Sequence, residues 1–297
     1  MKFAPEATLL RRLTVLPALA AAVLAAAACA PAEDKTTTTP ATATGAPACT
    51  KDSLPLKNAG KLVIGTDKPA FEPWFVDDDP SNGKGFESAV AYAVAGQLGF
   101  TKDEVSWEKV GFDSSFAPGK KKFDFDINQV SISAARAKAV TFSTGYYDVA
   151  QGVVALKGTK FADVTDLAGL KDAKIAVQVG TTSLKAVQDQ IQPTTQPKVY
   201  NNQIDAVTAL KNKQADVLVV DLPTAFYVTA AQVENSKIAG QLPQAGATPE
   251  QFGLVLEKDS ALVTCLDQAI GKLKSSGELA KIQERWLTSS AGAPVLK

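Results

Sequence analysis

Apolar and polar residues alternate around residue 125 and then, within ten positions, give way to a different pattern. The apolar side of the alternating stretch comprises Phe123, Phe125 and Ile127, and the polar side comprises Asp124, Asp126 and Asn128. A period of two residues is typical of a strand, which we expect to end at Gln129. Ser131 and Ser133 are favourable helix N-caps, and residues 134–140 are mostly helix formers. The pattern therefore predicts a strand followed directly by a short helix, with Arg136 near its first turn.

Strand and helix patterns alternate along most of the chain. Further strands are predicted at residues 61–67, 105–110, 153–157, 174–180, 215–221 and 251–257. Helices are predicted at residues 86–98, 163–170, 183–190, 201–213, 260–275 and 277–287. Because buried strands that alternate with helices are typical of α/β architectures, we predict an α/β fold. At 297 residues, the chain is long enough for two lobes or one large domain.

The predicted position of Arg136 indicates a binding chemistry. In open α/β sheets, ligands collect at the carboxyl ends of strands, beside helix N-termini that favour anions. An arginine at such a place is suited to bind a carboxylate. The alternative is a surface arginine that pairs with a nearby aspartate, and this residue by itself does not separate the two interpretations.

A spaced set of residues around Arg136 resembles a known family. The set comprises Asp124, Asn128, Gln129, Ser131, Ile132, Ser133, Arg136, Phe142, Ser143, Tyr146 and Tyr147. It resembles the signature of extracellular solute-binding protein family 3, the polar-amino-acid-binding lipoproteins of ABC transporters. The resemblance extends over about residues 56–288 and implies a two-lobed type II periplasmic binding protein fold with two hinge crossings. It places residues 51–147 and 245–297 in lobe 1 and residues 148–244 in lobe 2.

The resemblance also implies a set of residues that bind an amino acid. Arg136 would bind the α-carboxylate and Asp221 the α-ammonium. The other implied ligand-binding residues are Ser131, Thr181, Thr182, Asp67, Phe71, Phe112, Asn128, Gln129 and Gln178. A cystine or glutamine type of ligand is favoured, since Asn128 and Gln129 replace smaller residues found in many relatives. Two alternatives stay open: the aromatic residues could form a satellite core, and Asp221 could cap a helix that begins near Pro223.

Composition excludes several classes of function. The chain has no histidine, which excludes Ser-His-Asp and Cys-His catalytic centres and removes the commonest zinc ligand. Its 31 basic and 31 acidic residues balance, so no basic excess indicates nucleic acid. A Walker motif is absent, so this chain is not itself the ATPase of a transporter. We predict no catalytic residue, no metal and no cofactor, and a monomer that docks on an ABC permease in the membrane.

The N-terminal residues predict secretion and a lipid anchor. Basic residues precede an apolar run over residues 13–28, which is typical of a signal peptide. The residues before Cys29 resemble a lipobox, although Ala26 stands where leucine is usual; the alternative is ordinary cleavage after an Ala-x-Ala. We predict a signal peptide at residues 1–28, acylation of Cys29, and a flexible tether over residues 29–50 that is too poor in apolar bulk to pack. The mature protein would be extracytoplasmic and anchored to the cell membrane.

Two further cysteines, Cys49 and Cys265, remain if Cys29 is acylated. An even number of cysteines in an oxidising compartment predicts a disulfide between them. This bond would join the start of the folded body to the predicted helix at residues 260–275. The alternative is two buried thiols.

Two other classes of function share the implied fold. A secreted enzyme similar to cyclohexadienyl dehydratase would need a general acid over its substrate, and Asp67 or Glu72 is the candidate for that role. A sensory module would bind an amino acid without transporting it. The sequence does not distinguish this module from a component of an importer.

Overall fold

The computed structural model describes residues 49–287 and 292–297. The predicted signal peptide at residues 1–28, Cys29 and almost all of the predicted tether lie outside the described residues. Within the described part, no helix is both long enough and apolar enough to cross a membrane.

Two five-stranded mixed sheets form the framework of the fold. The first contains β1 (Leu62–Thr66), β2 (Val105–Lys109), β3 (Phe125–Asp126), β4 (Thr141–Val149) and β10 (Glu250–Leu256), in the order β2-β1-β3-β10-β4. The second contains β5 (Gln151–Leu156), β6 (Ile175–Gln178), β7 (Lys198–Tyr200), β8 (Val217–Asp221) and β9 (Ser236–Gln241), in the order β7-β6-β8-β5-β9. The chain passes between the sheets at Ala150 and again over residues 242–249. The predicted two-lobed α/β fold with two crossings is confirmed.

Parallel pairing brings the ends of the central strands together. In the first sheet, β1 pairs in parallel with β2 and β3, whereas β10 runs antiparallel to β3 and β4. In the second sheet, β6 pairs in parallel with β7 and β8, whereas β5 runs antiparallel to β8 and β9. All five residues of β1 are buried, as expected for a strand covered on both faces. In each sheet, the carboxyl ends of the parallel strands therefore share one edge.

Helices cover both sheets. In the described residues they are α1 (Phe86–Gln97), α2 (Phe112–Ser115), α3 (Thr182–Ala186), α4 (Gln203–Lys211), α5 (Leu222–Tyr227), α6 (Val263–Ser275) and α7 (Glu278–Leu287). The buried residues of α6 recur at helical spacing and pack with α1 and α7 against the first sheet. One of them, Cys265, forms a disulfide with Cys49, which is the predicted pairing. The bond fastens the beginning of the described chain to lobe 1.

Two predicted short helices are wrong. Residues 134–140 contain only a 3₁₀ turn at Arg136–Lys138, and residues 163–170 only a 3₁₀ turn at Ala168–Leu170. The first turn cannot extend into a helix because Val140 packs in a small apolar cluster and β4 begins at the next residue. The pattern also does not predict β4, β7 or β9, whose apolar residues are few or interrupted by polar residues and glycine.

The C-terminal residues pack on the second lobe. Val295 forms a parallel bridge with Gln241 at the end of β9, and backbone hydrogen bonds of 2.8 and 2.9 Å join Gln241 to the residues on either side of Val295. Leu296 is buried in the lobe 2 core and lies over Gly240, where a Cβ would approach its side chain to 2.7 Å. The sequence prediction places residues 245–297 in lobe 1, but the last six of them contact lobe 2, because Leu296 fills the space that Gly240 leaves.

Truncation of Leu296 is expected to destabilise the protein. Leu296→Ala removes a buried side chain from the lobe 2 core, which lowers the free energy of unfolding by roughly 2–5 kcal/mol. Val295→Ala is the matched control: Val295 is 53% exposed, and its truncation should change that free energy by less than about 0.5 kcal/mol. Urea unfolding of the three proteins measures the difference. Equal effects of the two substitutions would contradict the described packing of the tail.

Candidate functional site

A cavity of about 230 Å³ lies where strand ends of the two sheets converge. Asp67 follows β1, Asn128 lies just after β3, and Gln178 and Asp221 end β6 and β8. The complete lining is Asp67, Lys68, Pro69, Phe71, Phe112, Asn128, Gln129, Gln178, Thr181, Thr182, Asn202, Gln203, Ile204 and Asp221. Both lobes therefore form the cavity, at the edge where α/β sheets bind ligands.

Three grooves elsewhere in the described residues are larger, and the two largest of them measure about 700 and 640 Å³. The first is lined by residues that include Pro73, Phe226, Tyr227 and Trp286, and the second mainly by residues of the two crossings. Of the predicted ligand-binding residues, only Thr182 lines either groove. The smaller cavity is therefore the better candidate for the functional site, since it combines strand ends with charged groups from both lobes.

The cavity brings together all of the predicted ligand-binding residues except Ser131 and Arg136. These two lie beside it, because the Ser131 hydroxyl is 3.3 Å from that of Thr182 and the Arg136 guanidinium is 5.5 Å from the centre of the Phe112 ring. Sequence reasoning missed five lining residues, namely Lys68, Pro69, Asn202, Gln203 and Ile204. The last three follow β7, so recognition of that short strand would have pointed to them.

Arg136 bridges the two lobes through its guanidinium group. Its Nη1 donates to the Ser131 carbonyl oxygen of lobe 1 and its Nη2 to the Gly180 carbonyl oxygen of lobe 2, each at 2.8 Å. The guanidinium also lies 4.3 Å from the centre of the Phe116 ring. Burial lowers the pKa of Arg136 from its ordinary value, and neighbouring carboxylates oppose this shift. The side chain is thus held between aromatic rings with its donors directed at the junction of the lobes.

The lobes contact each other at two further places. At one, Gly180 has a φ of +73°, and a Cβ there would lie 2.2 Å from Oδ1 of Asp113. At the other, Nε1 of the buried Trp74 donates to Oγ1 of Thr224 at 3.0 Å. Glycine is therefore required at position 180, both for its backbone conformation and for the close approach of the lobes.

Asp221 is a buried carboxyl group with one neutral partner. Its Oδ1 accepts from Nε2 of Gln151 at 2.9 Å. Burial raises the pKa of Asp221 to about 8, with a further increase from Glu250, while the Gln151 hydrogen bond and Arg136 oppose the shift. Asp221 precedes α5 but makes no side-chain capping hydrogen bond, so the alternative role as a helix cap is not observed. A cation placed in the cavity would stabilise its ionised form.

Gln129 is held by a buried glutamate that sequence reasoning missed. Gln129 has a φ of +51°. Its backbone N–H and its side-chain amide both donate to the carboxyl group of Glu87, which also accepts from the hydroxyl of Tyr146. Burial raises the pKa of Glu87 to about 7. Glu87 could have been found from the sequence, because it is an acidic residue on the apolar face of a predicted helix. The amide of Gln129 serves mainly to fix the loop after β3.

Two polar residues at the strand ends, Asp67 and Asn128, differ in whether their side-chain groups have hydrogen-bond partners. Both oxygens of Asp67 accept backbone N–H groups, from Lys68 at 2.6 Å and from Phe112 at 3.1 Å. The buried Asn128 has an Nδ2 without a hydrogen-bond partner in the described structure. That donor is available to an acceptor in the cavity, since a buried unpaired amide is otherwise costly. Among the described residues, no group of three or more acidic or cysteine side chains is arranged to hold a metal ion.

Residues 62–289 match the family described as bacterial extracellular solute-binding proteins, family 3. The ABC transporter glutamine-binding protein GlnH of Bacillus subtilis (strain 168) is 27% identical over 245 residues, which cover 80% of this chain and 85% of that protein. The L-cystine-binding protein TcyJ of Escherichia coli (strain K12) is 26% identical over 246 residues, with coverage of 82% and 86%. The solved structure of an ancestral arginine-binding protein bound to arginine has a TM-score of 0.64 and 31% identity, and the match covers 76% of this chain and 98% of that one.

Replacing Glu87 by glutamine is expected to change how stability depends on pH. The folded state holds the Glu87 proton up to a pKa of about 7, whereas the ordinary value is 4.5. The stabilising contribution of this group is therefore complete below pH 4.5 and is lost as the pH rises to 7. Glu87→Gln keeps a neutral side chain at every pH, so its stability relative to the wild type should rise over this range by up to about 3 kcal/mol.

Urea unfolding at pH 4.5, 6 and 7.5 measures this change. Glu284→Gln, which alters an exposed glutamate of α7, is the control and should show the pH dependence of the wild type. A constant difference in stability between Glu87→Gln and the wild type would contradict a neutral, buried Glu87.

Proposed function

Because the chain belongs to the bacterial extracellular solute-binding proteins of family 3, we propose that it captures a polar L-amino acid and delivers it to an ABC importer. Its relatives include a glutamine-binding protein of an ABC transporter and an L-cystine-binding protein. The proposal is supported by a cavity between two lobes, with Asp221 of lobe 2 in its lining and the Arg136 guanidinium of lobe 1 beside it.

The observation that carries the proposal is the placement of Arg136 and Asp221. Arg136 belongs to lobe 1 and Asp221 to lobe 2, and each influences the charge state of the other. The α-carboxylate of an amino acid would bind the guanidinium in place of a backbone carbonyl, because a charged acceptor forms the stronger hydrogen bond. The α-ammonium would bind Asp221. One zwitterion would thus satisfy both charges only when the lobes are closed.

The rest of the cavity favours a polar side chain of modest size. Five amide side chains line it, those of Asn128, Gln129, Gln178, Asn202 and Gln203. The amide nitrogen of Gln129 already donates to Glu87. Phe71 and Phe112 would cover the aliphatic portion of the ligand. A volume of about 230 Å³ is below the roughly 300–1,000 Å³ of sites for drug-sized molecules, which fits a single amino acid. We propose glutamine or cystine as the preferred type.

Binding would proceed by closure about the two crossings. The moving parts would be residues 51–147 with 245–287 on one side and residues 148–244 on the other. The closed monomer would then dock on a permease whose ATPase subunits drive import. We also propose that residues 1–28 are a signal peptide and that an acylated Cys29 and its tether anchor the protein outside the cytoplasm.

A binding role is better supported than an enzymatic one. Glu72, one of the two candidate general acids, does not line the cavity. Asp67, the other, already accepts backbone N–H groups on both of its carboxylate oxygens. The relatives named above are described as binding proteins.

A thermal-shift panel of residues 49–297 against the common L-amino acids, their D-forms and cystine tests the proposed function. A ligand at a thousand times its Kd adds about 4 kcal/mol to the free energy of unfolding. At roughly 2–4 °C per kcal/mol, this raises Tm by on the order of 8–16 °C. We expect such a shift with one or a few polar L-amino acids and not with their D-forms. A flat panel would contradict the proposal, and turnover of prephenate or arogenate would then support the enzyme.

Arg136→Ala is expected to weaken binding of the amino acid found in that panel on the order of 100-fold, since truncating one partner of a buried charge pair typically costs 2–5 kcal/mol. Arg285→Ala is the control, because Arg285 is exposed on α7 and lies over Trp286. Isothermal titration calorimetry measures both Kd values. If Arg136→Ala binds as tightly as Arg285→Ala, Arg136 does not hold the carboxylate.

A further inference from the structure

A chain of hydrogen bonds joins the two lobes beneath the cavity. The Ser131 hydroxyl of lobe 1 donates to Oε1 of Glu250. Nε2 of Gln151 donates to Oε2 of Glu250 at 3.3 Å and to Oδ1 of Asp221 at 2.9 Å. The hydroxyl of Ser183, at the start of α3, donates to the remaining oxygen of the Gln151 amide. Both polar atoms of the Gln151 side chain therefore take part in these hydrogen bonds.

The two central residues of the chain occupy the hinge. Gln151 is the first residue of β5 and follows the crossing at Ala150, and Glu250 is the first residue of β10 and follows the crossing at residues 242–249. Gln151 is buried, as are Ser131 and Ser183. A change in hinge angle would move Glu250 with lobe 1 and Gln151 with lobe 2, and so would alter the contact between them.

Glu250 also acts at a distance on both charges of the site. It faces Arg136, which its carboxylate attracts, and Asp221, whose negative charge it opposes. Among the described residues, Glu250 is the one whose side chain forms hydrogen bonds with both Ser131 and Gln151. The sequence pattern does not single out Glu250, because it stands at the beginning of a strand like many exposed glutamates.

We propose that Glu250 is a positioning residue, which links hinge closure to the orientation of Ser131 and to the charge of Asp221 in the ligand site. The proposal rests on the proposed function, since it assigns a role in amino-acid binding. Glu250 itself would not touch the ligand. Its hydrogen bonds would hold Ser131 and Gln151 in place. Its charge would add to the effect of burial, which is the larger cause that keeps Asp221 neutral until an ammonium group arrives.

The pH dependence of the site follows from the groups around Asp221. Burial is the largest cause that raises the pKa of Asp221, and Glu250 of β10 and Glu87 of α1 raise it further, whereas the Gln151 hydrogen bond and Arg136 lower it. Tyr146 and Tyr147 of β4 also interact with the Asp221 charge. Because an ammonium ligand needs an ionised Asp221 whose unliganded pKa is about 8, affinity should rise about tenfold from pH 6 to 7 and about fivefold from pH 7 to 8.

Glu250→Gln removes the charge and keeps a side chain of similar shape. In the unliganded protein, carboxyl ¹³C NMR follows the titration of Asp221, with its signal identified by Asp221→Asn. We expect Glu250→Gln to lower the titration midpoint by about one pH unit, as removal of a neighbouring like charge does. Glu257→Gln, at the other end of β10, is the control and should not move the midpoint, because Glu257 contacts Lys57 and Lys121 instead.

Calorimetric titration of the amino acid at pH 6, 7 and 8 completes the test. The profile of affinity against pH should move to lower pH in Glu250→Gln by the same amount as the NMR midpoint, while Glu250→Ala should also weaken binding at every pH. An unchanged midpoint, or an equal loss of affinity at all three pH values in Glu250→Gln, would overturn the proposal and leave Glu250 a purely structural residue. A shifted midpoint in a protein that binds no amino acid would instead refute the proposed function and leave the coupling of Glu250 to Asp221 intact.

Discussion

The proposed site depends on two ionisable groups of opposite sign, Arg136 and Asp221, which lie in different lobes and do not pair with each other. In the described structure, neither Arg136 nor Asp221 forms a salt bridge; Arg136 donates to two backbone carbonyls and Asp221 accepts from a neutral amide. Burial raises the pKa of Asp221 to about 8, so this carboxyl group stays largely protonated at neutral pH until a cation is close. The Arg136 guanidinium has neutral partners, and a carboxylate in their place would form the stronger hydrogen bond. Under the proposed function, a zwitterion supplies both groups, whereas a ligand with a single charge supplies one.

The fold places these two groups in different lobes, where both would contact one ligand when the lobes close. Arg136 lies between β3 and β4 of the first sheet, and Asp221 ends β8 of the second. Gly180 permits the lobes to approach, since any side chain there would meet Asp113. The hydrogen bonds through Gln151 and Glu250 then connect the rim to the hinge. Under our proposal, hinge closure, the orientation of Ser131 and the charge of Asp221 therefore change together.

Much of this arrangement could be predicted from the sequence, and what could not has physical reasons. Continuous apolar strands such as β1 and β8 are visible in the pattern because both of their faces are buried. The strand β7 is mostly exposed and leaves no comparable pattern, so the residues that follow it were missed. The same applies to Glu87 and Glu250, whose roles depend on long-range contacts with Gln129 and Gln151. The helix predicted at Arg136 does not form, because the strand β4 begins directly after it and overrides the helix propensity of its residues.

The central claim is that the site recognises the α-carboxylate and α-ammonium groups together. The most direct measurement is isothermal titration calorimetry of the wild-type protein with the preferred amino acid and with the amine that remains after its α-carboxylate is removed. We predict that the amine, which keeps the ammonium and the side chain, binds at least about 100-fold more weakly, since it leaves Arg136 with only its carbonyl partners. Equal affinity for the two compounds would contradict the account, because the charge of Arg136 would then have no part in binding.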